Sequence, residues 1–159
     1  MDKTKPLQIR EAVRADKSVI AEIYAVCFEE TWAVAAVDDL LQAKGCWAFI
    51  LEINKGPKDK LAVGFVLARS VLDEAEILSF GVDPAFQGRG YGKKLMQDAI
   101  SAAKHRGAVT VFLEVSEDNH LAQILYRNCG FEVIGRRKAY YLKADGSRVD
   151  ALNLSLKIT

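Results

Sequence analysis

The stretch Ile77–Ile100, ILSFGVDPAFQGRGYGKKLMQDAI, decides the fold. Its opening, Ile77 to Val82, is apolar and predicts a buried strand. The step Asp83-Pro84 ends that strand, because proline donates no ladder hydrogen bond and pushes its predecessor extended. Next, Gln87-Gly88-Arg89-Gly90-Tyr91-Gly92 sets three glycines within five residues. Beyond them Tyr91, Leu95, Met96, Ala99, Ile100 and Ala103 recur at helical spacing. The order is strand, glycine-rich loop, long helix.

That order has a chemical use. The first amides of a helix are unpaired and carry partial positive charge. Glycines let the backbone turn tightly and let a ligand approach it. Together they form an anion cradle suited to phosphate. The spacing is neither the Walker pattern nor the dinucleotide fingerprint: no Lys-Ser/Thr follows the last glycine, and Gln87-x-x-Gly90-x-Gly92 is shorter than G-x-G-x-x-G. A glycine cluster alone is most often a plain turn. Its place between a buried strand and a long helix favours the anion.

Working outward toward the N-terminus, Glu76–Val82, Leu61–Ser70 and Trp47–Ile53 read as an antiparallel meander, with turns at Asp73-Glu74 and Asn54–Asp59. A helix is expected over about Ala35–Ala43. Another follows Asp16 as its cap, with Val19, Ile20, Ile23, Tyr24 and Cys27 on one face. Phe28-Glu29-Glu30-Thr31-Trp32 between them either walls a substrate or packs between the two helices. Gln8–Val13 suits a first strand, and residues 1–6 are polar and expected to be loose.

Toward the C-terminus, Gly107 stops the long helix and Val109–Val115 reads as a strand. Asn119 opens a helix carrying Ala122, Leu125 and Tyr126, which ends before Gly130. Phe131–Gly135 is strand-like, Tyr140-Tyr141 continues the sheet, Asp145-Gly146 is a hairpin-type turn, and Leu152–Ile158 alternates as a last strand. The sum is a mixed sheet flanked by helices, α/β (α+β) in class.

The chain has 159 residues, half of them hydrophobic, which argues against disorder and fits a single domain over 1–159. A net charge of +1 gives no reason to expect nucleic acid as a partner. Cys27, Cys46 and Cys129 are odd in number and lack C-x-x-C spacing, so neither a disulfide framework nor a zinc site is expected, and buried free thiols are. His105 and His120 have no ligand-spaced partners, so no metal is expected. No run suits a signal peptide or a membrane span, so the expected location is the cytoplasm, with no membrane partner.

Val82-Asp83-Pro84-Ala85-Phe86-Gln87-Gly88-Arg89-Gly90-Tyr91-Gly92 resembles the acetyl-CoA signature of the GNAT acetyltransferase superfamily, Gln/Arg-x-x-Gly-x-Gly/Ala after a strand end. Asn119-x-x-Ala122-x-x-Leu125-Tyr126-x-x-x-Gly130-Phe131 resembles its second signature. Within the superfamily the likeness is to the bacterial ribosomal-protein-alanine N-acetyltransferases. It rests on Leu72-Asp73-Glu74-Ala75, Leu113-Glu114-Val115 and Arg136-Arg137-x-x-Tyr140-Tyr141 followed by Ala144-Asp145-Gly146. Phe28–Trp32 only loosely matches that family's acceptor-side segment. The resemblance implies a GNAT-like mixed central sheet of about six to seven strands with about four helices. It also implies acetyl-CoA as co-substrate and, as acceptor, the N-terminal α-amine of a ribosomal protein.

Acetyl transfer from a thioester to an amine needs bound CoA, a neutral amine, a donor for the developing oxyanion and a proton for the leaving thiolate. Glu114 interrupts an apolar strand, where a carboxylate is costly without a purpose or a partner. It is either a base or a solvent-facing or ion-paired residue, and the resemblance implies the base. Tyr126 is either a core tyrosine or, as the resemblance implies, the acid. The resemblance further implies that CoA is held by Phe80, Gly81, Val82, Gln87, Gly88, Arg89, Gly90, Tyr91, Gly92, Lys93 and Asn119, with the Val82 amide as oxyanion donor. Asn119 by itself also reads as a helix cap. Arg136, Arg137 and Lys138 read as a solvated face, and Tyr140 and Tyr141 either line a peptide groove or pack in the sheet. The other functions open to this sequence are a GNAT enzyme for a small amine or lysine and an acyl-CoA sensor without turnover.

Overall fold

The computed structural model describes residues 7–158. The six N-terminal residues, expected to be loose, lie outside the described residues. In chain order the elements are β1 (Leu7–Glu11), a 3₁₀ turn (Arg14–Asp16), α1 (Lys17–Phe28), α2 (Val34–Gln42), β2 (Cys46–Gly56), β3 (Asp59–Val71) and β4 (Glu74–Val82). A second 3₁₀ turn (Pro84–Phe86) leads to α3 (Tyr91–His105), β5 (Thr110–Ser116), α4 (His120–Asn128), β6 (Glu132–Leu142) and β7 (Arg148–Lys157). The strands form one mixed sheet in the order β1-β2-β3-β4-β5-β7-β6. This is the mixed α/β architecture expected from the sequence.

β3 is the centre. Val63 to Ala68 are buried without a break, because both faces of the sheet are covered there. On one face α3 contributes Leu95, Met96, Ala99 and Ala103, packed with Val63, Val66, Val111 and Leu113. On the other, Ile20 and Ile23 of α1 and Val37 of α2 cover Ile50, Phe65 and Leu67. Burying each leucine- or isoleucine-sized side chain contributes roughly 1.5–3 kcal/mol.

Every neighbouring pair of strands is antiparallel except β4 and β5, which α3 joins by a crossover and which therefore run parallel. They pair only through Glu74↔Thr110, Ala75↔Val111 and Glu76↔Phe112. Beyond these residues the two strands part, although β4 runs on to Val82 and β5 to Ser116. A bulge at Leu78, where the β3 pairing steps from Leu67↔Ser79 to Ala68↔Ile77, bends β4 at the point of divergence. The result is a wedge in the middle of the sheet.

Local details differ from the sequence reading. The turn expected over Asn54–Asp59 shrinks to Pro57-Lys58, since Asn54↔Lys60 and Gly56↔Asp59 still pair and give these polar residues backbone partners. Asp16 precedes α1 without capping it. Its carboxylate instead accepts from the Val13 amide (2.8 Å) and from both terminal nitrogens of Arg10 (2.8 and 2.9 Å). The thiols are free, yet all three are half-buried rather than buried. β6 is one strand rather than two pieces, continuing through Arg136, Arg137 and Lys138, whose polarity concealed it. Those arginines are paired: Arg136 contacts Glu117 (2.8 Å) and Asp150 (2.7 Å), and Arg137 contacts Glu114.

Candidate active site

The wedge gathers the sequence-selected residues. Phe80, Gly81 and Val82 form the end of β4. The Asp83 side chain accepts from the Ala85 amide (2.9 Å) and starts the 3₁₀ turn that leads into the glycine loop. Gly88 and Gly90 have φ of +80° and +82°, which a side chain would strain, and the Cβ position of each faces open space. Lys94 N–H makes the bond to Gly90 O (3.2 Å) that opens α3, so the amides of Tyr91, Gly92 and Lys93 precede any helical acceptor. No acidic residue sits in the first turn of α3. The rim of the wedge is thus a row of unpaired donors at a helix N-terminus, with exposed Arg89 and Lys93 beside it.

Two residues of the loop face the protein itself. Gln87 donates its side-chain amide to Val82 O (2.9 Å), tying the loop to the strand end. Gly92 is a packing residue: a Cβ there would lie 2.7 Å from Leu125 Cδ1, so its absence lets α3 close on α4. Arg89 lies over the Phe86 ring, 5.4 Å from its centroid.

The strand end supplies a donor. Asp83 N–H donates to Val63 O on β3 (2.7 Å). Successive strand amides point to opposite edges, so the Val82 N–H points into the wedge. The side chain of Val82 faces α3, and its Cγ2 is 3.8 Å from the Gly92 Cβ position. Gly81 faces the other way, where a Cβ would meet Cys27 Sγ at 2.9 Å and Phe28 Cε2 at 3.5 Å. The Phe28–Trp32 segment packs against α1 and reaches the end of β4. Phe28 and Trp32 stack on Tyr24 (4.6 and 4.8 Å between centroids), and Phe28 also borders the β4 end while 39% exposed.

Tyr126 and Glu114 take opposite faces of the sheet. Tyr126, on α4, packs edge-on between Phe80 and Phe131 with centroids 6.0 Å from each. The residue is 7% exposed, and its hydroxyl has no hydrogen-bond partner among the described residues. No enclosed side-chain polar atom among them lacks a partner, so the hydroxyl reaches open space. Burial, with a lesser contribution from Cys129, pushes the phenol well above its ordinary pKa of 10, and it holds its proton at neutral pH. Glu114 alternates with buried Leu113 and Val115 and so lies on the face toward α1 and α2. Both of its carboxylate oxygens have partners: Oε1 accepts from the Tyr141 hydroxyl (2.9 Å), and Oε2 lies 3.5 Å from Arg137 Nε.

Asn119 caps α4, its side-chain oxygen accepting from Ala122 N–H (3.2 Å), which leaves its amide NH₂ to point elsewhere. Sequence reasoning missed Gln123. It is buried, and its amide donates to Ser116 O (3.2 Å) and Glu117 O (2.7 Å), fixing the loop between β5 and α4. The available signal was an amide on the apolar side of α4, between Ala122 and Tyr126. Tyr141 was noted only as part of a tyrosine pair, and its bond to Glu114 crosses 27 residues. A cavity of about 370 Å³ lies outside the wedge, between Glu11, Arg14, Cys46, Trp47, Ser70 and Arg106. Its polar groups pair with protein partners: Arg106 with Glu11 (3.2 Å), Trp47 with Ser70 (2.9 Å), Arg14 with Asp38 (2.8 Å). Among the described residues no three His, Cys, Asp or Glu side chains gather as a metal site, and no helix is long and apolar enough to cross a membrane.

Residues 18–131 match the acetyltransferase (GNAT) family model. The chain belongs to that family. A [ribosomal protein bS18]-alanine N-acetyltransferase of Haemophilus influenzae is 33% identical over 85% of this chain and 95% of that protein. Another so named, from Haemophilus ducreyi, is 44% identical over 59% of this chain and 65% of that protein. The crystal structure of the Escherichia coli ribosomal-protein-S18-alanine N-acetyltransferase superposes with a TM-score of 0.85, 29% identity, and coverage of 96% of this chain and 94% of that one. The chain is an acetyl-CoA-dependent N-acetyltransferase.

Proposed function

We propose that this GNAT enzyme acetylates the N-terminal α-amine of a protein, a ribosomal protein beginning with alanine. The observation that carries the reading is the pair Glu114 and Tyr126, on opposite faces of one wedge whose rim carries free amides. The relatives' names support the acceptor, since alanine offers no amine other than its α-amino group.

In this reading the amides of Gly88 to Lys93 hold the CoA pyrophosphate, and the pantetheine arm runs along the parted edge of β4 beside Phe80 and Val82. Asn119 Nδ2 is free to contact it. The Val82 N–H receives the thioester oxygen as it gains charge. The acceptor enters from the face of Phe28 and Glu114, and Glu114 takes its proton, directly or through water. Nitrogen attacks the carbonyl carbon, the tetrahedral centre collapses, and the C–S bond breaks. Tyr126 protonates the departing sulfur. The burial that makes the phenol a weak acid also disfavours a thiolate beside it, so the transfer stays balanced.

Release of free CoA thiol in the presence of a peptide beginning with alanine tests the reading. Tyr126→Phe should keep acetyl-CoA affinity and slow release by about 10²–10⁴-fold where chemistry limits the rate. Equal turnover in that variant would leave Tyr126 as a packing residue. Binding of acetyl-CoA without release by the parent chain would make the protein an acyl-CoA sensor.

A further inference from the structure

β6 carries an irregularity opposite Glu114. Arg137 pairs with Ala151 and Tyr141 with Val149, so four steps along β6 are set against two along β7. Ala139, inside this bulge, has φ of +51°, a left-handed conformation that costs a non-glycine residue energy. Asp150 holds it there: Oδ1 accepts from the Ala139 amide (2.8 Å) and Oδ2 from Arg136 Nη1 (2.7 Å). The bulge has one geometric consequence. In a regular strand Arg137 and Tyr141 would stand roughly 13 Å apart on one face; measured along β7 they stand roughly 7 Å apart. Ala151 and Val149 share a face with Asn153, the partner of Glu114, so both side chains come to the same carboxylate.

We infer that Tyr141 is a positioning residue that aims the Glu114 carboxylate, with the Asp150-pinned bulge of β6 as its mount. Resting on the base role proposed for Glu114, the inference assigns the two carboxylate oxygens different tasks. Oε1 is fixed by the Tyr141 hydroxyl at 2.9 Å. Among the described residues Oε2 faces only Arg137, at a looser 3.5 Å and with a side chain 57% exposed. The Arg137 guanidinium also lies over the Tyr140 ring, 5.1 Å from the centroid, so it keeps a seat when it leaves the carboxylate. The acceptor amine exchanges with Arg137 at Oε2 while Tyr141 keeps the carboxylate from turning away. Burial and the adjoining carboxylate both hold the Tyr141 phenol protonated, and thus a donor, across the neutral range.

Three variants decide it: Tyr141→Phe, Glu114→Gln and the double variant, each with saturating acetyl-CoA and an alanine-terminated peptide. Tyr141→Phe should lower kcat on the order of tenfold, the value of one hydrogen bond to a charged group. Glu114→Gln should lower it further. The double variant should be no slower than Glu114→Gln alone, because the group that Tyr141 aims is gone. Acetyl-CoA affinity, equal in all three, reports an intact fold. Losses that multiply in the double variant would overturn the inference and make Tyr141 a contact for the acceptor itself. An unchanged kcat in Glu114→Gln would overturn the base assignment, and the inference with it.

Discussion

At the scale of single residues, carboxylates separate by their partners. Asp16 reads in sequence as a helix cap, but Arg10 outbids the α1 amides: its guanidinium grips both oxygens, and the Val13 amide adds a third bond. A lone sequence cannot show this, because β1 must first bring Arg10 alongside the 3₁₀ turn. The Arg10 hydrogen bond foremost holds Asp16 below the ordinary carboxylate value of 3.8. A depressed carboxyl contributes stability that is complete above its unfolded pKa and is lost as pH falls through its folded pKa. The Tm gap between the parent and Asp16→Asn should therefore be full at neutral pH and close as pH drops below about 3.8. A gap equally wide at acid pH would mean that Asp16 stabilises by shape rather than charge. Glu114 was legible as an interruption of an apolar strand, whereas its partners were not, since Arg137 and Tyr141 reach it only through a bulge.

At the scale of elements, the strand–loop–helix unit was the most legible part, because its geometry lies in the backbone. Glycines at φ of +80° and +82° and a helix start without acidic residues are written directly in the local sequence. The charge and the bulk of a substitution there can be told apart. Gly90→Asp and Gly90→Asn have side chains of the same shape, and both Asp and Asn tolerate left-handed backbone better than most residues. Open space surrounds the Gly90 Cβ position, so neither clashes. Acetyl-CoA should raise the parent's Tm by mass action. The rise should vanish in Gly90→Asp, where a carboxylate meets the pyrophosphate, and survive in part in Gly90→Asn. Equal rises in the two variants would move the pyrophosphate off this loop. The β6 bulge illustrates the opposite case: nothing in Arg136-Arg137-Lys138-Ala139-Tyr140-Tyr141 marks an alanine at φ of +51°. The conformation is imposed by Asp150, which lies beyond the next turn.

At the scale of the whole molecule, the wedge exists because one parallel pair sits in an otherwise antiparallel sheet and comes apart after three residue pairs. Tyr126 and Glu114 then occupy opposite faces; in the proposed reading the co-substrate approaches from α3 and the amine from the open face over β5, β7 and β6. The order of elements could be read from periodicity, but the parting of β4 from β5 could not, since both strands read as ordinary buried runs. The proposed acceptor accords with amine chemistry. At pH 7.5 roughly a quarter to two-fifths of an α-amine is neutral, against about one part in a thousand of an unperturbed lysine. In the proposed reading a single carboxylate such as Glu114 serves the first through water and needs help with the second. The most direct measurement uses two peptides of one sequence: the first with a free N-terminal alanine and a methylated internal lysine, the second with a blocked N-terminus and a free lysine. The account predicts acetylation of the first in strong preference to the second; preference for the second, or transfer to neither, would contradict it.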